Sequence, residues 1–377
     1  MKFLKGTGII VGLMFGAGVF ALPYVIVKAG LLWGSIFFII ALLLTIFLLF
    51  LYSEVAYYTE GRHRFTGYVE LILGRNFKKI AFLITIAAYY GTLLVYGMLG
   101  GAFLSNFFGG ANSFLLSMLF FAVGAALLFL RLGGVASINF YLTIPLFGFI
   151  VYLFVSTLGL IDVSKFTLLT ENMFTRSDWF LPYGVWLFSL GGFAAIPITR
   201  DFFRGSSLKS FKRVILTSVL VSALFYCLFI FVIIGVSGAG TSADAFLGTV
   251  NVLGSNIILA GSVMGVLAVF TSFLALGVDL RGIYRYDFGI SKTLASFFVV
   301  VPPVLLYLVG VQDLTRLLGL IGTIGLGFTG AVIILMARKL RKTGVISRKL
   351  KYSALLEWGV VGAILVAVIY EVWGLIG

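Results

Sequence analysis

The sequence is poor in the side chains that build disulfides, metal clusters and most catalytic sites. Its 377 residues include one cysteine, Cys227, and one histidine, His63, and only 11% of them are charged. A single cysteine excludes a disulfide framework and a thiolate metal cluster, and its apolar neighbours predict a small buried hydrophobe. Paired-aspartate diphosphate motifs, HExxH, Walker loops and nucleophile elbows are also missing. The sequence therefore argues against an enzyme, and no cofactor is predicted.

Apolar residues fill the space that polar ones leave. They make up 61% of the chain, and stretches of about 20 apolar residues, long enough to span a bilayer as a helix, recur from end to end. We therefore predict one all-α membrane domain over residues 1–377. Eleven spanning helices are expected near residues 6–29, 31–58, 79–107, 112–130, 137–160, 180–200, 211–237, 251–278, 292–310, 314–338 and 353–376. The short segment from Phe65 to Gly74 predicts a helix at the membrane interface.

The net charge of +14 could indicate a nucleic-acid partner, but the positions of the basic residues indicate a different cause. Nearly all of the 27 Lys and Arg residues lie in the N-terminus or in alternate loops, at 2–5, 62–79, 131, 200–213, 281–292 and 338–351. Loop Lys and Arg mark the cytoplasmic side of helical membrane proteins. We predict a multi-pass plasma-membrane protein in contact with lipid, with a cytoplasmic N-terminus, an external C-terminus and no nucleic-acid partner.

Two predicted helices are interrupted in matching ways. Helix one reads GAGVFALP from Gly16 to Pro23, and helix six reads GGFAAIP from Gly191 to Pro197. The likeness indicates an internal repeat of five helices, over about residues 6–160 and 179–338, with an extra helix at 353–376. An odd number of helices per half makes the two halves inverted in the membrane. Inverted halves that each open with a broken helix are typical of secondary transporters.

A break at mid-membrane frees backbone groups that lipid cannot satisfy, so such a break belongs beside a cavity. The amides at Gly16–Gly18, reinforced by the dipole of the half-helix that follows, can hold a carboxylate, while freed carbonyls can hold a cation. The hydroxyls of Thr271 and Ser272 in helix eight can join those carbonyls around a small cation. The alternative is that both hydroxyls bond their own helix backbone.

Helix three offers three phenols to a substrate carboxylate, Tyr89, Tyr90 and Tyr96, of which Tyr90 is the predicted contact. Charges are expected in loops and at helix ends, including Glu54 and Asp279, which leaves the central membrane poor in charge. The expected cargo is therefore a zwitterion with an uncharged side chain. Glu54 is the candidate proton carrier, although a helix-end charge at the cytoplasmic interface is the simpler interpretation.

Three segments carry a family resemblance: GAGVFALPY in helix one, FSLGGFAAIP in helix six, and FTSFLALGVDLRGIYRYDF from helix eight onward. Together they resemble the amino acid/auxin permease family and its bacterial aromatic amino acid permeases, over about residues 6–339. The resemblance implies membership of the amino acid, polyamine and organocation superfamily. It also implies the leucine-transporter fold, with five plus five inverted helices, broken helices one and six, and here an eleventh helix.

The resemblance also implies which residues bind. The substrate carboxylate is expected at Gly16, Ala17 and Gly18, and the amino group and side chain at Ser189, Gly191 and Phe193. A sodium site is expected at Gly12, Phe15, Ala268, Thr271 and Ser272. Some proton-coupled relatives carry a lysine in helix five, which residues 137–160 lack, so sodium is favoured over protons. Ile198 departs from the acidic residue that family members often place after the helix-six proline.

These observations lead us to expect a secondary transporter that imports neutral amino acids, aromatic ones among them. Sodium or protons would drive it by alternating access, as helices one, two, six and seven rock against the rest. Two alternatives stay open at this point: a membrane sensor that binds an amino acid without transporting it, and a membrane-embedded enzyme acting on lipids. The oligomeric state is left open as well.

Overall fold

The computed structural model describes residues 2–129, 135–169, 177–346 and 354–376. Throughout these residues the regular backbone is helical, without strands. The helices are α1 (Lys2–Met14), α2 (Ala17–Ala29), α3 (Leu31–Tyr58), α4 (Phe65–Leu73), α5 (Arg75–Phe107), α6 (Ser113–Phe129), α7 (Val135–Thr157), α8 (Leu181–Leu190), α9 (Ala195–Phe202), α10 (Leu208–Ser237), α11 (Val250–Gly282), α12 (Lys292–Leu308), α13 (Leu314–Leu320), α14 (Gly327–Lys342) and α15 (Ala354–Ile376). Two π-helical segments, Ile283–Asp287 and Ile321–Leu326, follow α11 and α13.

Length and apolar composition allow most of these helices to cross a bilayer. Within the described ranges six spans meet both criteria, and the bent pair α1–α2 makes a seventh. Three shorter apolar helices, Ser113–Phe129, Ile144–Thr157 and Lys292–Leu308, and the C-terminal α15 complete the eleven units that the sequence predicts. The helix bounds lie close to the predicted ones. For example, α3 runs from Leu31 to Tyr58, and the sequence predicts a helix at 31–58.

Helices one and six are both broken, as the sequence predicts. The axes of α1 and α2 differ by 50°, and at this break the Gly16 N–H donates to the Met14 carbonyl at 2.8 Å instead of continuing the helical ladder. Between α8 and α9 the Gly192 N–H donates to the Leu190 carbonyl, also at 2.8 Å. Both breaks therefore contain the same tight turn across two residues.

The short helix α4 is present where an interfacial helix is predicted. The Thr66 hydroxyl and the Gly67 N–H donate to one oxygen of Asp287, at 2.5 and 2.9 Å. The ammonium of Lys78 in α5 lies 2.5 Å from Glu70 and 2.6 Å from the Asp287 carbonyl oxygen. These bonds fasten α4 to α5 and to the π-helical segment after α11.

The end of the bundle that holds α4 also holds the loop 59–64 and the C-terminus of α9, and we call it the basic end. There Arg200 donates to the carbonyls of Ala56 and Tyr57 at 3.2 and 3.3 Å. These carbonyls belong to the last turn of α3, whose final C=O groups have no helical donor. Arg200 therefore caps α3 and ties it to α9.

Glu54 lies deeper than the sequence indicates. Its residue is fully buried on α3, and one carboxylate oxygen accepts from Lys212 of α10 at 2.5 Å. Glu54 lies near the end of α3, as predicted, but its carboxylate is buried and paired with a lysine. Because an isolated buried carboxylate is costly, the paired lysine explains how this one is tolerated.

The opposite end of the bundle is closed by aromatic rings. Phe246, on the loop between α10 and α11, is fully buried. Its ring centroid lies 5.9 Å from Phe20, 6.0 Å from Phe103, 6.1 Å from Phe229 and 6.2 Å from Phe149. Phe20 belongs to α2, just after the first break. The loop thus packs one side chain against Phe20, about one helical turn after the break.

Cys227 is exposed, which corrects the buried position that its apolar neighbours indicate. Its neighbour Tyr226 is fully buried. Adjacent residues on a helix point about 100° apart, so α10 can turn one inward and the other outward. On a membrane helix, apolar neighbours therefore do not distinguish lipid from protein core.

Candidate functional site: the breaks in helices one and six

The second half of helix one begins without a cap. Gly16 holds the N-cap position of α2 and provides no side-chain hydrogen bond. The first N–H groups of a helix have no acceptor within it, so the amides at Ala17 and Gly18 are free to bind a ligand. Together with the positive end of the α2 dipole, they form an environment suited to a carboxylate.

Gly18 is the point where the two broken helices touch. A Cβ atom at Gly18 would lie 2.1 Å from Ser189 Oγ and 2.8 Å from Ser189 Cα. Ser189 is held in place because its hydroxyl donates to the Val185 carbonyl at 2.7 Å. Any side chain at position 18 would force α2 and α8 apart.

Tyr226 of α10 reaches both breaks with one hydroxyl group. Its oxygen lies 2.6 Å from the Met14 carbonyl and 3.0 Å from the Ser189 carbonyl. These carbonyls end α1 and α8, and both are buried away from water. A phenol from a third helix therefore supplies the hydrogen bonding that the interrupted ladders lack.

The hydroxyl of Ser272 on α11 crosses to the end of α1. It lies 3.2 Å from the Phe15 carbonyl oxygen and 3.4 Å from that of Gly12. Thr271 instead donates to the Ala268 carbonyl of its own helix at 3.0 Å. The structure thus brings the two groups of predicted sodium ligands to the same place, with Ser272 as the link between α1 and α11.

A cavity extends from the breaks toward the basic end. Helix one contributes Met14 to its wall, helix six contributes Gly191 and Phe193, and Tyr89 and Asp279 lie further along it. Aromatic and hydroxyl side chains supply much of the remaining wall: Tyr52, Phe65, Thr85, Thr92, Tyr96 and Phe188. Gly191 and Phe193, two of the three predicted substrate residues of helix six, therefore face an open space, whereas the third, Ser189, is not part of the cavity wall.

The three tyrosines of helix three have different surroundings. Tyr96 approaches the break, because a Cβ atom on Gly16 would lie 2.9 Å from its hydroxyl. Tyr89 lines the cavity. Tyr90, the predicted substrate contact, instead lies 2.6 Å from the Tyr284 hydroxyl and donates to the Phe298 carbonyl at 2.9 Å. The structure therefore does not bring Tyr90 together with the other predicted site residues.

Asp279 is a buried carboxylate on the cavity wall that the sequence leaves out of the predicted site. Helix eight is predicted to end near residue 278, but α11 runs on to Gly282 and keeps Asp279 inside the protein, 1% exposed. Tyr89 donates to Asp279 Oδ2 at 3.0 Å, and Arg64 Nε lies 3.0 Å from Oδ1. The signal present in the sequence is spacing, because Asp279 follows Ser272 by seven residues and shares its helix face.

The loop before α4 contacts helices on both sides of the cavity. Arg64 reaches Asp279 of α11, and Arg62, two residues earlier, lies 3.9 Å from Asp201 of α9. Arg204 also approaches Asp201, at 3.1 Å, and donates to the Gly61 carbonyl at 2.9 Å. The loop thus links the second half of helix six to helix eight.

The site thus consists of two broken helices that meet beside a cavity in an apolar bundle. Comparisons with known protein families and solved structures agree with this arrangement. A family model described as the tryptophan/tyrosine permease family matches residues 1–372. The chain belongs to the tryptophan/tyrosine permease family. This confirms the resemblance to amino acid permeases and supports amino acid transport as the activity of the chain.

Solved structures confirm the fold of the permease. One of them, described as the crystal structure of MhsT in complex with L-phenylalanine, superimposes with a TM-score of 0.69. The match covers 98% of this chain and 97% of that chain at 17% sequence identity. The predicted leucine-transporter fold, with broken helices one and six, is therefore correct. The comparison with curated proteins finds no match.

Proposed function

We propose that this permease imports neutral amino acids, preferentially aromatic ones, across the plasma membrane by alternating access, driven by sodium or protons with sodium favoured. The family description names tryptophan and tyrosine, and the structural neighbour binds L-phenylalanine. The bias of basic residues supports a cytoplasmic N-terminus and hence a cytoplasmic basic end. A cavity that extends toward that end, with Phe246 closing the other, matches a conformation whose cavity faces the inside.

The observation that carries the proposal is the position of Ser272 against the end of α1. Hard cations take oxygen ligands, and two oxygens about 2.4 Å from an ion, a distance typical of Ca²⁺, lie about 3.4 Å apart at a right angle. The Ser272 hydroxyl is 3.2 and 3.4 Å from the Phe15 and Gly12 carbonyl oxygens. A small cation between these oxygens, completed by Thr271 and Ala268, would join α1 to α11.

The same break supports the binding of a zwitterion. The uncapped amides at Ala17 and Gly18, next to Gly16, suit the carboxylate, while Ser189, Gly191 and Phe193 would surround the amino group and side chain. Tyr96 replaces Tyr90 as the phenol at this position, because its hydroxyl is the one that reaches Gly16. Since the cation and the carboxylate would share the end of α1, each would favour binding of the other.

The test is uptake of radiolabelled tryptophan, tyrosine, leucine, alanine and serine into proteoliposomes under an inward sodium or proton gradient. We expect tryptophan or tyrosine to accumulate with sodium. Ser272→Ala should raise the sodium concentration for half-maximal uptake by about tenfold, equivalent to about 1.4 kcal/mol. Ser156→Ala is the matched control, because Ser156 is exposed on α7 and, within the described residues, its hydroxyl donates to the carbonyl of Leu153 in its own helix.

Other results would change or reject the proposal. Accumulation that follows a proton gradient and ignores sodium would assign protons as the driving ion. Failure of all five amino acids to accumulate under either gradient, in protein that is correctly folded, would reject the transport proposal.

A further inference from the structure

We propose that the permease has a second amino acid subsite, at the basic end of the cavity, which a zwitterion occupies between the central site and bulk water. It is formed by Tyr52, Thr85, Tyr89 and Asp279, with Arg64 Nε 3.0 Å from Asp279 Oδ1, and we call it the Asp279 subsite. The inference rests on the proposed function, since it assigns the same cargo to a different position.

The first evidence is unused hydrogen-bonding capacity. Tyr52 and Thr85 both line the cavity, and they are only 1% and 4% exposed. Within the described part of the chain, the Tyr52 hydroxyl and Thr85 Oγ1 have no hydrogen-bond partner. Buried polar groups are normally paired, and leaving one unpaired costs about 1–3 kcal/mol. Two unpaired hydroxyls that line the same cavity, one on α3 and one on α5, indicate a polar ligand.

The second evidence is charge. Asp279 and Arg64 lie 3.0 Å apart, with their side chains 2% and 13% exposed. Neither Asp279 Oδ1 nor Arg64 Nε makes a hydrogen bond with correct geometry in the described residues. The pair is therefore held by charge, and both atoms can still bond. A zwitterion carries the complementary pair, an ammonium for Asp279 and a carboxylate for Arg64.

The third evidence is distance from the central site. Thr85, Tyr89, Thr92 and Tyr96 follow one another on a single face of α5. Tyr96 reaches the break at Gly16, whereas Tyr89 bonds Asp279, and the two tyrosines are seven residues apart. Seven residues of helix correspond to about 10 Å. The ammonium and carboxylate of one amino acid cannot reach both places at once, so the Asp279 subsite is a binding site separate from the central one.

Occupation of the subsite would change the ion pair. An ammonium beside Asp279 and a carboxylate beside Arg64 compensate each charge, so the loop that carries Arg64 can leave α11 without exposing an unpaired buried charge. The amino acid would thereby loosen the contact that lies across its own path. Cargo without both charges could not do so.

The test uses cysteines as reporters in a Cys227→Ser background. Thr92→Cys reports the central part of the cavity, and Thr85→Cys, seven residues earlier on α5, reports the Asp279 subsite. Cysteine replaces the Thr85 hydroxyl with a thiol, which keeps a weak hydrogen-bond donor in the subsite. Both residues line the cavity. Modification by a small thiol reagent is measured against tryptophan concentration. We expect tryptophan to protect both cysteines, with a higher concentration needed at Thr85→Cys.

Asp279→Asn distinguishes binding at the Asp279 subsite from binding at the central site. It should raise the tryptophan concentration for half-protection at Thr85→Cys by about tenfold or more and leave Thr92→Cys within about twofold. Protection at Thr92→Cys also shows that the variant is folded. Glu357→Gln is the matched control, because Glu357 is a buried acid paired with Arg338 and Arg341 on α14, away from the cavity. It should change neither curve by more than about twofold.

Two results would overturn the subsite while leaving transport intact. One is identical protection of both cysteines that Asp279→Asn does not change, and the other is protection of Thr92→Cys alone. Indolepropionate and tryptamine, which each lack one of the two charges, should not protect Thr85→Cys, and protection by either would also contradict the proposal. If neither cysteine is protected and no amino acid accumulates in the uptake test, the proposed function itself is at fault.

Discussion

The Tyr226 hydroxyl lies 2.6 Å from the Met14 carbonyl oxygen, closer than to the Ser189 carbonyl at 3.0 Å. A phenol has one hydrogen to donate, so it bonds one of these carbonyls at a time. The shorter distance assigns that hydrogen to the break in helix one.

Tyr226→Phe should destabilise the permease and reduce binding. The variant removes the one donor that the two buried carbonyls share, and a buried carbonyl that loses its donor costs about 1–3 kcal/mol. We expect a lower melting temperature in detergent and weaker tryptophan binding. Tyr152→Phe is the control, because Tyr152 is 54% exposed on α7. Equal melting temperatures for the two variants would show that the phenol is not needed at the breaks.

Gly18→Ala should separate the two broken helices. The added methyl would lie 2.1 Å from Ser189 Oγ, and relieving such an overlap typically costs about 1–3 kcal/mol. Uptake and thermal stability should both fall. Adding Ser189→Gly removes the hydroxyl and should recover part of the loss. Gly148→Ala on α7 is the control, because nothing lies within 4 Å of a Cβ there.

Phe246→Ala should open the end of the cavity that is closed by aromatic rings. Truncating a fully buried phenylalanine costs about 3–5 kcal/mol, and the lost ring lies next to Phe20 on α2. We expect faster modification of Thr92→Cys by an impermeant thiol reagent added at the end opposite the basic end. Phe108→Ala, at a side chain that is 57% exposed, should leave that rate unchanged.

Cys227→Ser should be nearly neutral. Cys227 is exposed on α10, and substitutions at exposed positions usually change stability by less than about 0.5 kcal/mol. The melting temperature and the uptake rate should match those of the unaltered permease, which would validate the background for the cysteine reporters. A large loss of stability would mean that this face of α10 packs against another chain.

The sequence predicts the helices well because the physical signal is strong. Apolar stretches must be helical in a bilayer, and loops must hold the charges, so the bounds of α3 and α12 follow from composition alone. The breaks are equally visible, because clusters of glycine and proline at mid-membrane interrupt the helical ladder where lipid offers no substitute partner. Both predictions depend on what lipid excludes, not on which helices are neighbours.

The site is harder to predict, because its details depend on contacts between distant helices. Helix periodicity alone does not show which of Tyr89, Tyr90 and Tyr96 faces the break. The sequence underestimates the length of α11 because Asp279 has the appearance of a helix end, while Arg64, which makes its burial tolerable, is more than 200 residues away. A buried ion pair can therefore extend a helix past the point where hydropathy ends it.

The loop that carries Arg62 and Arg64 determines which helix contact at the basic end breaks first. The Arg62–Asp201 pair spans 3.9 Å, with side chains 71% and 28% exposed, whereas both side chains of the Arg64–Asp279 pair are largely buried. Water and salt weaken the first pair and hardly reach the second. The loop is thus held weakly to α9 and strongly to α11. When no amino acid occupies the Asp279 subsite, strain between these helices therefore breaks the contact with α9 first, while the loop stays on α11.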